Sequence, residues 1–139
     1  MNYWLMKSEP STWSWDDQQA RGDDGEGWDG VRNYQASNNM KAMEIGDLAF
    51  FYHSVNEKRI VGIVEVCELY HPDPTDAGGR FGMVTVKAVR SMTKPVTLAE
   101  IKADERLAEM ALVRQSRLSV TPVTAAHWAI LMEMGETAL

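Results

Sequence analysis

The chain reads as a single α+β domain over residues 1–139, with a mostly antiparallel, barrel-like sheet flanked by helices. Three observations predict this. DLAFFYHS (47–54) and RIVGIVEVCELYH (59–71) are β-branched and aromatic runs joined by VNEK, a hairpin-length link. In the second run Ile60, Gly62, Val64, Val66 and Glu68 point one way, and Val61, Ile63, Glu65, Cys67 and Leu69 the other. Both faces are largely apolar, as in a strand of a small closed sheet with a helix packed outside it. The second half of the chain instead carries helix start and stop signals.

Taken in order, Tyr3 to Ser8 predicts a short strand closed by Glu9-Pro10, because proline cannot donate to a ladder. Ser14 caps a helix through Gln19, with Asp16 and Asp17 favourably placed in its first turn. Gly22, Gly25, Gly27 and Gly30 mark an irregular loop, and Tyr34 to Met43 is helical, ending before Gly46. After the strand pair, residues 71–79 form a loop and residues 80–91 another strand. Thr97-Leu98-Ala99-Glu100 matches a capping box, so a helical region runs to about Leu112, broken near Asp104. Leu118–Thr121 is a closing strand. Thr124 then caps a last helix on which Trp128, Leu131 and Met132 share a face, and Gly135 stops it.

Composition narrows the chemistry. An apolar fraction of 45% and a charged fraction of 24% describe an ordinary globular domain with no repeat or low-complexity tract. The single Cys67 excludes an intramolecular disulfide framework and a zinc knuckle. With no secretory leader and no membrane-length apolar run, a soluble cytoplasmic domain is the expectation. Net charge is −6, against a protein that coats nucleic acid electrostatically. The charge is uneven: residues 1–79 hold 6 basic and 14 acidic side chains, while residues 80–117 hold 8 basic and 4 acidic. A local basic face can exist on this acidic protein.

Several chemistries fail on spacing. His53 and Ser54 are neighbours on a strand, so their side chains leave opposite faces and form no local nucleophile–base pair. His71, Asp73 and Asp76 match no metal motif and read as a solvated loop. Cys67 reads as inert core, and GDDGEG carries acids where a phosphate loop needs bare backbone. What remains is four polar-aromatic stretches at strand edges and loops: LMKSEP, WDGVRN, FYHS and SRLSV. Rings to stack on, beside forked donors and hydroxyls, suit a pocket for a planar, hydrogen-bonding ligand. Trp4 and Trp128 read as core, Trp13 and Trp15 as outer cover, and Asp29 as a brace for Arg32 or a cap. Trp28, beside two glycines, reads as a wall.

YWLMKSEP, WDGVRNYQA, GDLAFFYHS, IVGIVEV and RLSVTPV, in this order, resemble the EVE family, which is related in fold to the PUA, ASCH and YTH domains. The likeness runs from Tyr3 to the last helix. Phe81 stands where the family is expected to carry Trp, and the preceding loop looks shorter than in family members. The resemblance implies a PUA-like β-barrel whose pocket accepts a modified base flipped out of DNA or RNA. Its blocks fall on Ser8-Glu9-Pro10, Trp28 to Asn33, Tyr52-His53-Ser54 and Arg117 to Val120. The expectation is a non-enzymatic reader of 5-methylcytosine or a relative, with no catalytic residue, metal or cofactor. Trp28 stacks on the base, Tyr52 or Tyr34 forms a second wall, and Asn33 and Ser8 read the polar edge. His53, Ser54 and Ser119 complete the pocket set, His53 either lining it or holding a loop. Lys7, Arg32 and Arg117 contact phosphate or, for Arg117, brace the pocket. The alternative is a binder of, or enzyme on, free nucleosides, nucleotides or another small planar ligand.

Overall fold

The computed structural model describes residues 1–139. Its strands are β1 (Tyr3–Ser8), β2 (Glu26–Gly27), β3 (Leu48–His53), β4 (Arg59–Pro72), β5 (Gly82–Thr97) and β6 (Val120–Val123). They form one mixed sheet in the order β2-β5-β4-β3-β1-β6. Only β1 and β3 run parallel; every other pairing is antiparallel. The edge strands β2 and β6 do not pair, so the sheet is open. It nevertheless curls: the helix α2 (Tyr34–Lys41) touches β6 at one edge and β4 and β5 towards the other. The class is α+β and PUA-like.

The helices start where the sequence places hydroxyl caps. Ser14 and Asp17 form a reciprocal capping box on α1 (Trp15–Ala20), and Thr97 and Glu100 do the same for α3 (Leu98–Ala103). Asp104 breaks the next stretch into a 3₁₀ turn before α4 (Ala111–Arg114). Thr124 caps α5 (Ala125–Met134), which Gly135 ends.

β3 is buried at all six positions because each of its faces meets a separate core. Phe51 joins Trp4, Met6, Val64 and the α2 residues Ala36 and Met40 on one face. Phe50 and Tyr52 join Ile63, Ile101, Leu107 and Trp128 on the other. Trp128 stacks 4.0 Å from Phe50 and 4.5 Å from Tyr3. Each fully buried Phe, Leu or Ile here contributes about 1.5–3 kcal/mol of transfer free energy.

Three sequence expectations need correction. Trp15 is not outer cover: it is buried, and a Cβ on Gly62 would lie 2.3 Å from its ring, so the glycine exists to admit the indole. β5 runs on past Ser91 to Thr97, across a bulge where pairing jumps from Gly62↔Ser91 to Ile60↔Val96. The bulged residues bond to the C-terminus instead, Lys94 N–H to the Gly135 carbonyl and Thr93 N–H to the Thr137 hydroxyl. The bulge accommodates Pro95, whose missing N–H would interrupt a regular ladder. The closing strand sits two residues later than expected, at Val120–Val123.

Candidate nucleic-acid interface

A cleft of about 430 Å³ opens where the end of β1, the loop before α1 and the segment 26–30 meet. That volume falls within the range of small-molecule sites. Trp28 forms one wall. Its N–H donates to the Val84 carbonyl at 2.8 Å, and its ring meets Phe51 edge-on at 5.4 Å, leaving 7% of the residue exposed. Trp13 forms a second, half-buried wall. Its indole N–H donates to Gln18 Oε1 at 2.9 Å, and buried Gln18 donates in turn to the Val86 carbonyl at 3.0 Å. Trp13 is therefore tied to β5 through α1. Lys7 and Ser8 line the floor, and Glu9, Glu26 and Asp29 the rim.

The polar groups of the cleft differ in how far they are committed. The Ser8 hydroxyl donates to the Trp13 carbonyl at 2.5 Å, closing the turn, so its remaining capacity is as an acceptor. Lys7 Nζ donates to the Ser116 carbonyl at 2.7 Å, and burial pulls its pKa below the ordinary lysine value. Glu26 pairs with Arg21 at 3.3 Å, and Glu9 accepts from Ser11. The Asp29 carboxylate makes no hydrogen bond or ion pair within the chain. With Glu26 paired to Arg21, the Glu9 and Asp29 carboxylates still leave the rim acidic.

The segment carrying Trp28 is held from outside the cleft by Asp73. This buried carboxylate accepts from Gly30 N–H at 2.9 Å, Arg32 Nη1 at 3.1 Å, and Thr75 N–H and Oγ1 at 2.7 and 2.6 Å. Burial alone would raise its pKa; the bonds from Thr75, Gly30 and Arg32 outweigh that and hold it at about 2. Asp76 binds Phe81, Arg80 and Gly78 N–H groups, and His71 Nδ1 lies 2.7 Å from the Leu69 carbonyl. The acids of this loop are its own hydrogen-bond acceptors.

The structure brings together some of the residues singled out from sequence and separates others. Lys7, Ser8 and Trp28 share the cleft. Tyr52 does not: it is buried in the core on the opposite face of β3, where desolvation pushes its pKa up to about 12. Tyr34 also lies away from the cleft lining, 63% exposed, with its ring 4.9 Å from Phe81. Asn33 Oδ1 caps α2 through Ala36 N–H, and with Arg117 it lines a separate shallow recess that includes Gln35 and Gln115. Arg32 is spent on Asp73, Thr75 and its neighbouring carbonyl, as a brace.

His53 holds a loop. Its Nε2 accepts from Trp15 N–H at 3.0 Å, so the proton sits on Nδ1 and is donated to Glu57 at 2.9 Å. Ser54 N–H donates to the Ser8 carbonyl, and the Ser119 carbonyl accepts from Lys7 N–H, so both act here through backbone. Trp13, Glu26 and Asp29 are the cleft residues that the sequence reading assigned elsewhere or passed over. Trp13 precedes the Ser14 cap, but the polar Gln18 at the fourth helical position offers no hydrophobic staple, so the hydrogen bond that places its indole was not legible in the sequence.

The EVE domain model matches residues 2–134. Mouse thymocyte nuclear protein 1 is 34% identical over 98% of this chain and 74% of its own length. A crystal structure of an Agrobacterium tumefaciens protein is 53% identical, with a TM-score of 0.96 over 99% of this chain and 95% of that one. Human THYN1, solved in complex with 5-methylcytosine-containing DNA, is 32% identical with a TM-score of 0.92 over the whole of both chains. A YTH domain from Zygosaccharomyces rouxii shares the fold alone, at 11% identity and a TM-score of 0.59 over 99% of this chain and 88% of that one. The chain belongs to the EVE domain family.

Proposed function

We propose that this domain is a non-enzymatic reader that takes a modified base of DNA or RNA, 5-methylcytosine or a derivative, into the Trp13–Trp28 cleft. One observation carries the reading: a base-sized cleft walled by two indoles, in a chain similar throughout to a protein solved with 5-methylcytosine-containing DNA. The rim chemistry supports it. Glu9, Glu26 and Asp29 oppose the entry of phosphate, so a base enters and its backbone stays outside. Asp29, with a free carboxylate, is suited to accept from the exocyclic amine of a cytosine-type base.

Magnitudes limit the selectivity. One added methyl is worth about 0.8 kcal/mol of burial, and shape rejection extends discrimination to about 1–3 kcal/mol. Extruding a paired base costs a few kcal/mol. Weak binding with a preference for single strands follows.

The test is binding of fluorescent single-stranded DNA and RNA carrying 5-methylcytosine, 5-hydroxymethylcytosine or cytosine to the wild type, Trp13→Ala and Asp29→Asn. Modification-dependent binding, weakened at least fivefold in Trp13→Ala while thermal melting shows a folded protein, supports the reading. Equal binding of all strands by the wild type sinks it. The acidic rim and net charge of −6 favour one rival, a free nucleoside as ligand. A neutral nucleoside binds almost independently of salt, whereas each phosphate contacted on a single strand contributes a slope of about −0.7.

A further inference from the structure

Outside the cleft, the same seven-residue segment that supplies Trp28 ends in an aromatic surface that the cleft does not use. Tyr34 is the first residue of α2 and is 63% exposed. Its ring lies 4.9 Å from the half-buried ring of Phe81, at 40°. The Arg32 guanidinium stands 5.8 Å from the centroid of Phe81. Phe81 is fixed from both sides of its backbone: its N–H donates to Asp76 Oδ2 at 2.8 Å, and its carbonyl accepts from Asp73 N–H. A rigid ring therefore backs a solvent-facing one.

The fold gives Tyr34 no task of its own. Its hydroxyl makes no hydrogen bond, and an aromatic residue is a middling helix former at a position that Ala would fill better. Tyr70 shows the contrast: its hydroxyl bonds Ser37 and accepts from Gly82 N–H.

The cleft, a neighbouring recess and this ring pair are linked residue to residue. Lys7, on the cleft floor, donates to the Ser116 carbonyl, and Ser116 lines the neighbouring recess with Arg117, Gln115, Gln35 and Asn33. Tyr34 sits between Asn33 and Gln35 in the chain. Arg117 is exposed and enters no ion pair, in contrast to Arg114, which is paired with Glu109. Trp28 and Tyr34 are at most about 20 Å apart along the chain, a distance that a few nucleotides of single strand can cover.

We propose that this recess and ring pair form a second contact for the strand: Arg117 meets the phosphate backbone leaving the cleft, and Tyr34, backed by Phe81, stacks a flanking base. This rests on the reader function proposed above and extends it from one base to a single-stranded segment. Stacking on an exposed ring is tolerant of sequence, so the contact adds affinity without adding a base preference.

The experiment compares three probes on the wild type, Tyr34→Ala and Tyr34→Phe. One is 5-methyl-2′-deoxycytidine; the second is a single-stranded DNA with several nucleotides on each side of one 5-methylcytosine, and the third is the same DNA with cytosine in that place. Tyr34→Ala should weaken the oligonucleotide by about fivefold or more, the lower end of the scale of one base–aromatic stack. It should leave the nucleoside unchanged, and Tyr34→Phe should retain oligonucleotide affinity. Equal oligonucleotide binding by wild type and Tyr34→Ala overturns the proposal. So does loss of self-association in Tyr34→Ala at unchanged oligonucleotide affinity, which assigns the rings to a second copy of the chain. If the wild type binds modified and unmodified strands alike but Tyr34→Ala still weakens both, the flanking contact stands and the cleft reading falls. No binding of any strand removes both.

Discussion

Asp73 shows what one side chain does for the candidate site without touching it. It is buried, accepts four hydrogen bonds, and ties Gly30 and Arg32 to the 73–75 loop, so the Trp28 wall hangs on it. Its folded pKa lies below the ordinary carboxylate value of 3.8, at about 2. A depressed carboxylate contributes stability above its unfolded pKa and loses it as pH falls through the folded one. Acid titration should therefore remove up to about 2 kcal/mol between about pH 4 and pH 2, and Asp73→Asn should abolish that part of the pH dependence. At neutral pH we expect Asp73→Asn to cost about 1–3 kcal/mol, less than a fully buried pair because Arg32 is solvent-facing. Denaturant titration across pH checks both. Thr121 is the opposite case: its hydroxyl is buried in β6 with no partner. An unmade bond of that kind costs about 1–3 kcal/mol, so Thr121→Val should raise the melting temperature. A lowered one would show that the hydroxyl is in fact satisfied.

At the scale of elements, packing of α1 against the sheet determines whether Trp13 stands at the cleft. Trp15 enters over Gly62, its indole N–H donates to Ser91 Oγ at 2.8 Å, and its backbone N–H is fixed by His53. Gly62→Ala drives a methyl into that ring and should cost about 1–3 kcal/mol as overpacking. It should also weaken base binding by displacing Trp13. For stability alone, Gly27→Ala is the control, since its methyl would meet only the flexible end of Met83. Equal melting of the two variants would disprove the role given to Gly62. These contacts explain which elements were legible in the sequence. The caps at Ser14, Thr97 and Thr124 are local chemistry, and each begins a helix as read. The two-residue strand β2 has no pattern of its own and exists because β5 pairs with it. The position of Tyr52 was half legible. Strand alternation puts it opposite Phe51 and His53, so the three could never share a pocket, but which face meets Trp28 is decided by tertiary packing.

For the whole molecule, the proposed function requires a chain of net charge −6 to hold a polyanion. The basic excess of residues 80–117 is partly neutralised in the fold: Lys87 lies 4.0 Å from Glu65, Lys94 3.8 Å from Glu100, Arg106 2.7 Å from Asp104, and Arg114 2.5 Å from Glu109. Arg117 is the unpaired cation beside the recess next to the cleft, whereas Lys7, at the cleft floor, lies behind the acidic rim. On the proposed reading the domain neutralises about one phosphate, not a groove's worth. The logarithm of its affinity for a single strand should fall with the logarithm of salt at a slope of about −0.7. Arg117→Ala should flatten that slope by about 0.7 and weaken modified and unmodified strands by the same factor, since a phosphate contact carries no sequence or modification information. Asp29→Asn should do the reverse, changing the ratio between modified cytosine and thymine strands at constant slope. Fluorescence anisotropy over a salt series reads both quantities at once. A slope steeper than about −3 would mean that a phosphate-binding face operates elsewhere on the molecule, because the cations beside this cleft are too few to produce it.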